Sequence, residues 1–159
     1  MLFEFNNLSP NSRCWVFITR NEISNSILKN LKIGLNHICE NWTSHGKAIK
    51  SSYKIEQKHF IILFAEENDM SGCSIDSSNR ELLKLLNALN IGLAPNSKIG
   101  IFKDAHIYFY NKEEIIDLIN KNKFSLSNYM INTTIRNKKE YLNAWKLMLK
   151  DSWLKNFIK

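Results

Sequence analysis

Residues 51–66 read SSYKIEQKHFIILFAE, and this stretch decides the fold. Two runs of strand-forming residues, Ser51 to Glu56 and His59 to Glu66, are separated only by Gln57 and Lys58, so we predict an antiparallel hairpin. The turn lacks the Gly or Asn that short hairpins favour. Since the second run is apolar at nearly every position, it predicts a central strand that is buried on both faces.

A strand and a long helix are predicted before this hairpin. Residues Arg13 to Thr19 are largely β-branched and aromatic, which indicates a buried strand. The spacing of Thr19 and Glu22 is that of a capping box at the start of a helix. Apolar residues then recur at helical intervals and predict an amphipathic helix; these residues are Ile23, Ile27, Leu28, Leu31, Leu35, Ile38 and Trp42.

Similar patterns predict the remaining elements and the fold class. They are, in chain order, a helix carrying Ile75 to Leu89, strands at Ile99 to Phe102 and Ile107 to Tyr110, a helix at Glu113 to Asn120 capped by Asn111, a strand at Tyr129 to Asn132 and a long helix at Asn137 to Leu149. We therefore expect an α+β fold with a mixed or antiparallel sheet and about three main helices packed on one face. Since no linker or internal repeat interrupts the chain, we expect a single domain over residues 1–159.

The charge of the chain suggests a binding partner only weakly. Its 159 residues include 22 Lys and Arg against 15 Asp and Glu, a net charge of +7. A basic balance can indicate nucleic acid or a membrane surface as a partner. Here, however, 18 of the cations are Lys and only 4 are Arg, and Arg is the residue that nucleic-acid sites favour. The composition is also rich in Lys, Asn and Ile, as a low-GC genome would produce.

The cysteines predict a reducing compartment. Cys14, Cys39 and Cys73 are an odd number with no Cys-x-x-Cys spacing, which argues against a disulfide framework. No apolar run approaches the roughly 20 residues of a membrane helix, and the N-terminus does not resemble an export signal. We therefore expect a cytoplasmic protein without a membrane partner. The histidines lack metal-ligand spacing, so neither a metal nor another cofactor is predicted.

The stretch from Ser71 to Ser78, SGCSIDSS, is the strongest candidate for a site. It lies between the predicted central strand and a helix, where backbone N–H groups and the helix dipole favour an anion or a thiolate. Cys73 is the candidate nucleophile or ligand contact, His45 the candidate base, and Asp76 the residue that orients His45 or the helix entry. The candidate contacts to a small anionic ligand are Ser71, Gly72, Ser74, Ser77 and Arg80.

Structural alternatives to this site remain open. In one alternative, Ser74 or Ser78 serves only as a helix cap and Cys73 is a small buried filler. His45 is equally compatible with a cation at the end of the first long helix. A cysteine-phosphatase loop is excluded, because six residues separate Cys73 from Arg80 where that loop requires five.

Basic and aromatic residues alternate towards the C-terminus; they are Arg136, Lys138, Lys139, Tyr141, Trp145, Lys146, Lys150, Trp153, Lys155 and Phe157. This pattern suits RNA, so the alternative function is a non-enzymatic accessory protein that binds RNA or a protein partner. Tyr141, Trp145 and Met148 also have the spacing of a core-facing helix stripe. We expect Trp153 and Phe157 to pack back on the protein.

Four motifs resemble those of a family of small uncharacterised proteins from the Bacteroidetes; they are Trp42-Thr43-Ser44-His45-Gly46, Ser71-Gly72-Cys73-Ser74-Ile75-Asp76, Phe102-Lys103-Asp104 and Asp151-Ser152-Trp153. The resemblance spans nearly the whole chain and implies that His45, Cys73 and Asp76 belong to one set of motifs. Members often carry the automatic label of an ABC transporter ATPase. This chain has no Gly-x-x-x-x-Gly-Lys-Ser/Thr phosphate loop, so its sequence does not support that activity.

Overall fold

The structure is a computed structural model that describes residues 1–66 and 71–158. It has the predicted α+β class, and its sheets are antiparallel. The chain divides into two compact units. The first comprises Met1–Ala94 and Arg136–Lys139, and the second comprises Pro95–Ile135 and Glu140–Lys159. This division neither confirms nor contradicts the prediction of a single domain over residues 1–159.

The first unit is a three-stranded sheet with two helices on one face. Its elements are β1 (Arg13–Ile18), α1 (Asn25–Asn41), β2 (Thr43–Ser44), β3 (Lys47–Ala48), β4 (Ser51–Glu56), β5 (Phe60–Ala65) and α2 (Gly72–Ala88). The strand order is β1-β5-β4, so β5 is central, as predicted, and each of its residues is fully buried. Leu35 of α1 and Leu82 of α2 pack with Ile61 and Leu63 of β5 in one core.

The β4–β5 hairpin forms without glycine in its turn. Gln57 and Lys58 have φ angles of 51° and 53°, the left-handed conformation that a type I′ turn needs at both central positions. The N–H of His59 donates to the carbonyl oxygen of Glu56 over 3.0 Å and closes the turn. The pairing of Tyr53 with Leu63 belongs to a register in which Ile61, Leu63 and Ala65 of β5 face the helices.

The segment 136–139 completes the first unit from far along the chain. The N–H of Cys14 donates to the carbonyl oxygen of Arg136 over 2.9 Å. Lys138 is only 5% exposed, and its Nζ donates to the carbonyl oxygens of Phe5, Asn6 and Leu8 at 2.7, 3.1 and 2.6 Å. Lys138 is therefore an internal anchor and not part of a basic surface.

The second unit is a four-stranded sheet covered on one face by a helix. Its elements are β6 (Ile99–Lys103), β7 (His106–Tyr110), α3 (Lys112–Asn120), β8 (Tyr129–Ile131), the end of α4 (Lys138–Ala144) and β9 (Lys146–Met148). The strand order is β7-β6-β8-β9. Ile115 of α3 packs with Ile101, Met130 and Leu154 in a separate core.

Two predictions for the C-terminal region need correction. The long helix expected over 137–149 ends at Ala144, and the next residues form β9, in which Leu147 pairs with Met130. Pairing with the open edge of β8 outweighs the helical spacing of the aromatic residues. The last described turn, Trp153–Phe157, is anchored by the buried Leu154, while Trp153 and Phe157 stay 37% and 49% exposed.

The predicted capping box of the first long helix is also wrong. The helix begins at Asn25, with Ser24 at the N-cap position. The Thr19 hydroxyl instead donates to the carbonyl oxygen of Asn21 over 2.7 Å. Thr19 thus stabilises the turn that follows β1, and it does not cap α1.

Candidate functional site

The two predicted motifs, around His45 and around Cys73, are joined by the buried side chain of Ser74. The indole Nε1 of Trp42 donates to Ser74 Oγ over 3.0 Å, and Ser74 Oγ donates to the carbonyl oxygen of Thr43 over 2.7 Å. Since Trp42 and Ser74 are only 4% and 5% exposed, these bonds replace contacts with water. Ser74, predicted as a ligand contact, connects the end of α1 to the start of α2.

A second connection runs through Ser71, the N-cap residue of α2. Ser71 Oγ accepts from the N–H of Ser74 over 3.2 Å, and the N–H of Ser71 donates to Ser44 Oγ over 3.1 Å. The helix begins at Gly72, directly after this cap. The stretch from Ser71 to Ser78, predicted to lie between the central strand and a helix, is therefore itself the start of α2 from Gly72 onward. The cap is Ser71 instead of Ser74 or Ser78.

The three predicted catalytic residues lie at separate exposed positions. His45 occupies the turn between β2 and β3 with a φ of 49°, followed by Gly46 with a φ of 75°. Cys73 and Asp76 lie on the exposed side of α2. Within residues 1–66 and 71–158, no hydrogen bond or ion pair joins His45, Cys73 and Asp76 to one another. Their joint catalytic role stays a prediction.

Cys73, Asp76 and Arg80 share one face of α2, because their spacing in the sequence follows the helical repeat. Together with Asn79 and Leu83 they line a shallow surface depression, which we call the α2 depression. The buried face of the same helix carries Ser74, Ser78 and Leu82. The predicted site residues are thus divided between two sides of α2.

A more enclosed cleft lies between the end of α1 and the first half of α2, and we call it the α1–α2 cleft. Its volume is about 180 Å³, and its lining residues are His37, Ile38, Asn41, Trp42, Thr43, Ser77, Ser78 and Glu81. Ile38, Trp42 and Ser78 are buried and form the floor, while the other five lining residues are exposed at the rim. Of the predicted ligand contacts, Ser77 lines this cleft.

Charges on the two walls of the cleft interact. Lys84 Nζ lies 2.7 Å from Glu81 Oε1, and this ion pair is the main cause of the lowered pKa of Glu81. A smaller contribution to the lower pKa comes from His37 on the α1 wall. The rim therefore carries the Glu81 carboxylate on α2 opposite the His37 imidazole on α1.

Sequence reasoning missed the α1 wall of this cleft because it assigned the end of the helix to the core. Trp42 belongs to that core, but its indole also forms part of the cleft floor. His37 and Asn41 are one helical turn apart on the polar side of α1, and Asn41 Nδ2 donates to the carbonyl oxygen of His37 over 2.9 Å. A polar pair at i and i+4 that borders the apolar Ile38 and Trp42 was the available signal.

Comparison with protein-family models, curated proteins and solved structures gives no match for this chain. The resemblance to the Bacteroidetes family stays a prediction. Over residues 1–66 and 71–158, no three His, Cys, Asp or Glu side chains group closely enough to hold a metal ion. The helices in this described part lack the length and hydropathy that a membrane crossing requires.

Proposed function

We propose that the protein binds a small organic molecule in the α1–α2 cleft. The observation that carries the proposal is the combination of an apolar floor, Ile38 and Trp42, with hydrogen-bonding side chains at the rim. Pockets for small molecules typically have such an apolar lining with a few polar groups that fix the orientation of the ligand. His37, Asn41 and Ser77 supply those groups here.

The volume and charge of the cleft indicate the class of ligand. At about 180 Å³ the cleft is close in size to the cavity of about 150 Å³ that binds benzene in an engineered protein, so it accommodates one ring. The described lining residues include Glu81 but no Lys or Arg, although Lys84 next to the cleft pairs with Glu81 and balances part of its charge. A neutral or cationic ring with a hydrogen-bond donor therefore suits this cleft better than the small anion expected from the sequence.

The floor of the cleft is held in place before any ligand binds. Trp42 is fixed by its hydrogen bond to Ser74 and by the ring of Trp15, whose centroid lies 5.7 Å away. A fixed indole loses little conformational freedom on binding, which favours affinity. The polar groups at the rim then determine which ring is accepted.

The indole N–H resonance of Trp42 provides the test. Benzamide and benzylamine, titrated separately into ¹⁵N-labelled protein, are expected to shift this resonance, because their rings would lie against the Trp42 indole. Ser77→Tyr places a ring in the cleft and is expected to abolish the shifts. Asp76→Tyr introduces the same side chain at the neighbouring position on the α2 depression and is expected to leave them unchanged.

Two results would contradict the proposal. One is that neither compound shifts the Trp42 resonance at concentrations on the order of 10 mM, above the range of weak fragment affinities. The other is that Ser77→Tyr and Asp76→Tyr have the same effect. Trp42→Phe identifies the resonance independently of both variants.

A reactive thiol at Cys73 is a separate proposal, since Cys73 lines the α2 depression and not the cleft. Its support is the exposed position of Cys73 in the first turn of α2. We also propose a cytoplasmic location, which the free thiols of Cys14, Cys39 and Cys73 support.

A further inference from the structure

One face of the sheet in the second unit carries two aromatic rings side by side. Ile101 of β6 pairs with Met130 of β8, and both face the core. Because side chains alternate along strands, the neighbouring Phe102 and Tyr129 share the opposite face. Tyr129 is 39% exposed and Phe102 is half-buried, so the rings are open to solvent at this end of the sheet.

A single lysine lies over both rings. The Nζ of Lys146, on β9, is 4.2 Å from the ring centroid of Phe102 and 4.8 Å from that of Tyr129. We call Phe102, Tyr129 and Lys146 the aromatic platform. The attraction between an ammonium group and a π face favours this position of the cation.

The surroundings of the aromatic platform favour an anionic partner. By strand pairing, its face of the sheet consists of Gly100, Phe102, Ile107, Phe109, Tyr129, Ile131, Lys146 and Met148. This set includes one lysine and no carboxylate. The sequence of the second unit carries nine Lys against six Asp and Glu, a net charge of +3.

We infer that the aromatic platform binds single-stranded nucleic acid. Exposed rings on a four-stranded antiparallel sheet can stack with unpaired bases, and a lysine between them can neutralise a phosphate. Bases stack on Phe102 and Tyr129. The ammonium group of Lys146 then moves from the ring faces to a phosphate of the nucleic acid. A duplex keeps its bases stacked within the helix and offers no such contact.

This assignment places the nucleic-acid site on different residues from the C-terminal pattern in the sequence. Of that pattern, Lys146 belongs to the platform, whereas Lys138 is buried in the first unit. Phe102 and Tyr129 lie outside the pattern, on β6 and β8. The inference is independent of the α1–α2 cleft, which belongs to the other unit.

Fluorescence anisotropy with a labelled oligouridine of about 12 nucleotides, at about 50 mM salt where phosphate contacts are strong, tests the inference. The intact protein is expected to bind this strand. Phe102→Leu and Tyr129→Leu keep apolar volume but remove the π face, and each should weaken binding at least about fivefold. Lys146→Met should weaken binding and lower the slope of log affinity against log salt by about 1.

Tyr108→Leu is the matched control, since Tyr108 is an exposed tyrosine (46%) on the other face of the same sheet. It is expected to bind as the intact protein does. Ultraviolet crosslinking of the bound strand should attach to the peptide that contains Tyr129. Three results would each overturn the inference. They are no binding of the oligouridine at low salt, an equal loss of binding in the Tyr108 and Tyr129 variants, and equal affinity for a duplex of the same length. Absence of binding overturns the inference even if this face binds a protein.

Discussion

The indole N–H of Trp42 donates to the hydroxyl of Ser74 over 3.0 Å and connects the residue after α1 to the first turn of α2. Ser74 in turn donates to the carbonyl oxygen of Thr43, so one hydroxyl satisfies both the buried indole N–H and a backbone carbonyl. Such a chain is stronger than an isolated bond, because each bond polarises the next. It fixes the two walls of the α1–α2 cleft to each other.

Replacing Ser74 with alanine is expected to destabilise the protein by about 1–3 kcal/mol. The substitution leaves the buried indole N–H of Trp42 without its acceptor, and that desolvation cost is not recovered. Urea denaturation measures the change. Ser77→Ala, on an exposed residue of the same helix, should stay within about 0.5 kcal/mol of the parent. Equal effects of the two substitutions would show that the Ser74 bonds contribute nothing.

Iodoacetamide is expected to alkylate Cys73 alone in the folded protein. Cys73 is exposed, whereas Cys14 and Cys39 are buried, and burial raises the pKa of Cys39 to about 11. The thiolate is the form that reacts. Mass spectrometry of the alkylated protein gives the site, and the rate at neutral pH is compared with that of a short peptide thiol. A rate no higher than the peptide's would refute the activated-thiolate proposal.

The stability contribution of Cys39 is expected to fall at high pH. Its pKa rises from an ordinary value of 9.0 to about 11 in the folded protein, chiefly because of burial. Between these values the unfolded thiol loses its proton while the folded thiol keeps it, so rising pH stabilises the unfolded state. At about 1.36 kcal/mol per pKa unit, the cost of Cys39→Ala should be smaller by about 2 kcal/mol at about pH 10.5 than at about pH 8.

Comparing the intact protein with Cys39→Ala at each pH cancels the other titrating groups. Urea midpoints and slopes give the two free energies of unfolding. A cost of Cys39→Ala that stays the same at both pH values would mean that the thiol does not titrate differently on unfolding.

Ala105→Gly is expected to stabilise the protein by about 0.5–1 kcal/mol. Asp104 and Ala105 have φ angles of 50° and 64° in the β6–β7 turn, where a Cβ atom is unfavourable. The substitution creates the Asp-Gly pair that type I′ turns favour. Ala88→Gly, in the helical conformation of α2, should have the opposite sign. A lower denaturation midpoint for Ala105→Gly would contradict this account of the turn.

Lys138→Met is expected to cost about 3 kcal/mol, near the upper limit for buried groups left unsatisfied. The substitution removes the donor to the carbonyl oxygens of Phe5, Asn6 and Leu8. Lys139→Met, at the exposed neighbouring position, should change stability by less than about 0.5 kcal/mol. The difference between the two free energies of unfolding gives the contribution of the Lys138 hydrogen bonds. A difference near zero would contradict the role of Lys138 as an anchor.

The sequence predicted elements whose periodicity agrees with their packing. The central strand at Phe60–Ala65 and the helix at Asn25–Asn41 are confirmed because their apolar spacing matches the core that they enter. Lys146–Met148 was assigned to a helix because its strand conformation depends on pairing with β8, a contact far away in the chain. Local spacing carries no information about such a partner.

The candidate site was predicted only in part, for a similar reason. The sequence hypothesis places His45, Cys73 and Asp76 in one site, and this stays a prediction. A hydrogen bond does join their neighbours Ser44 and Ser71. The sequence did not indicate that His37 and Ser77 would line one cleft, since that depends on how α1 packs against α2. Helical spacing assigns residues to a face, but the neighbour of that face is set by tertiary contacts.

The anchor formed by Lys138 also bears on when the first unit can fold during synthesis. Domains commonly fold as their chains leave the ribosome, the N-terminal part first. Here the edge strand β1 obtains a partner from Arg136 and Asn137, and the segment at Phe5 to Leu8 obtains its donor from Lys138. More than forty intervening residues, 95–135, must be translated before these contacts exist. The first unit therefore stays incomplete at the edge of its sheet until residues 136–139 have emerged from the ribosome.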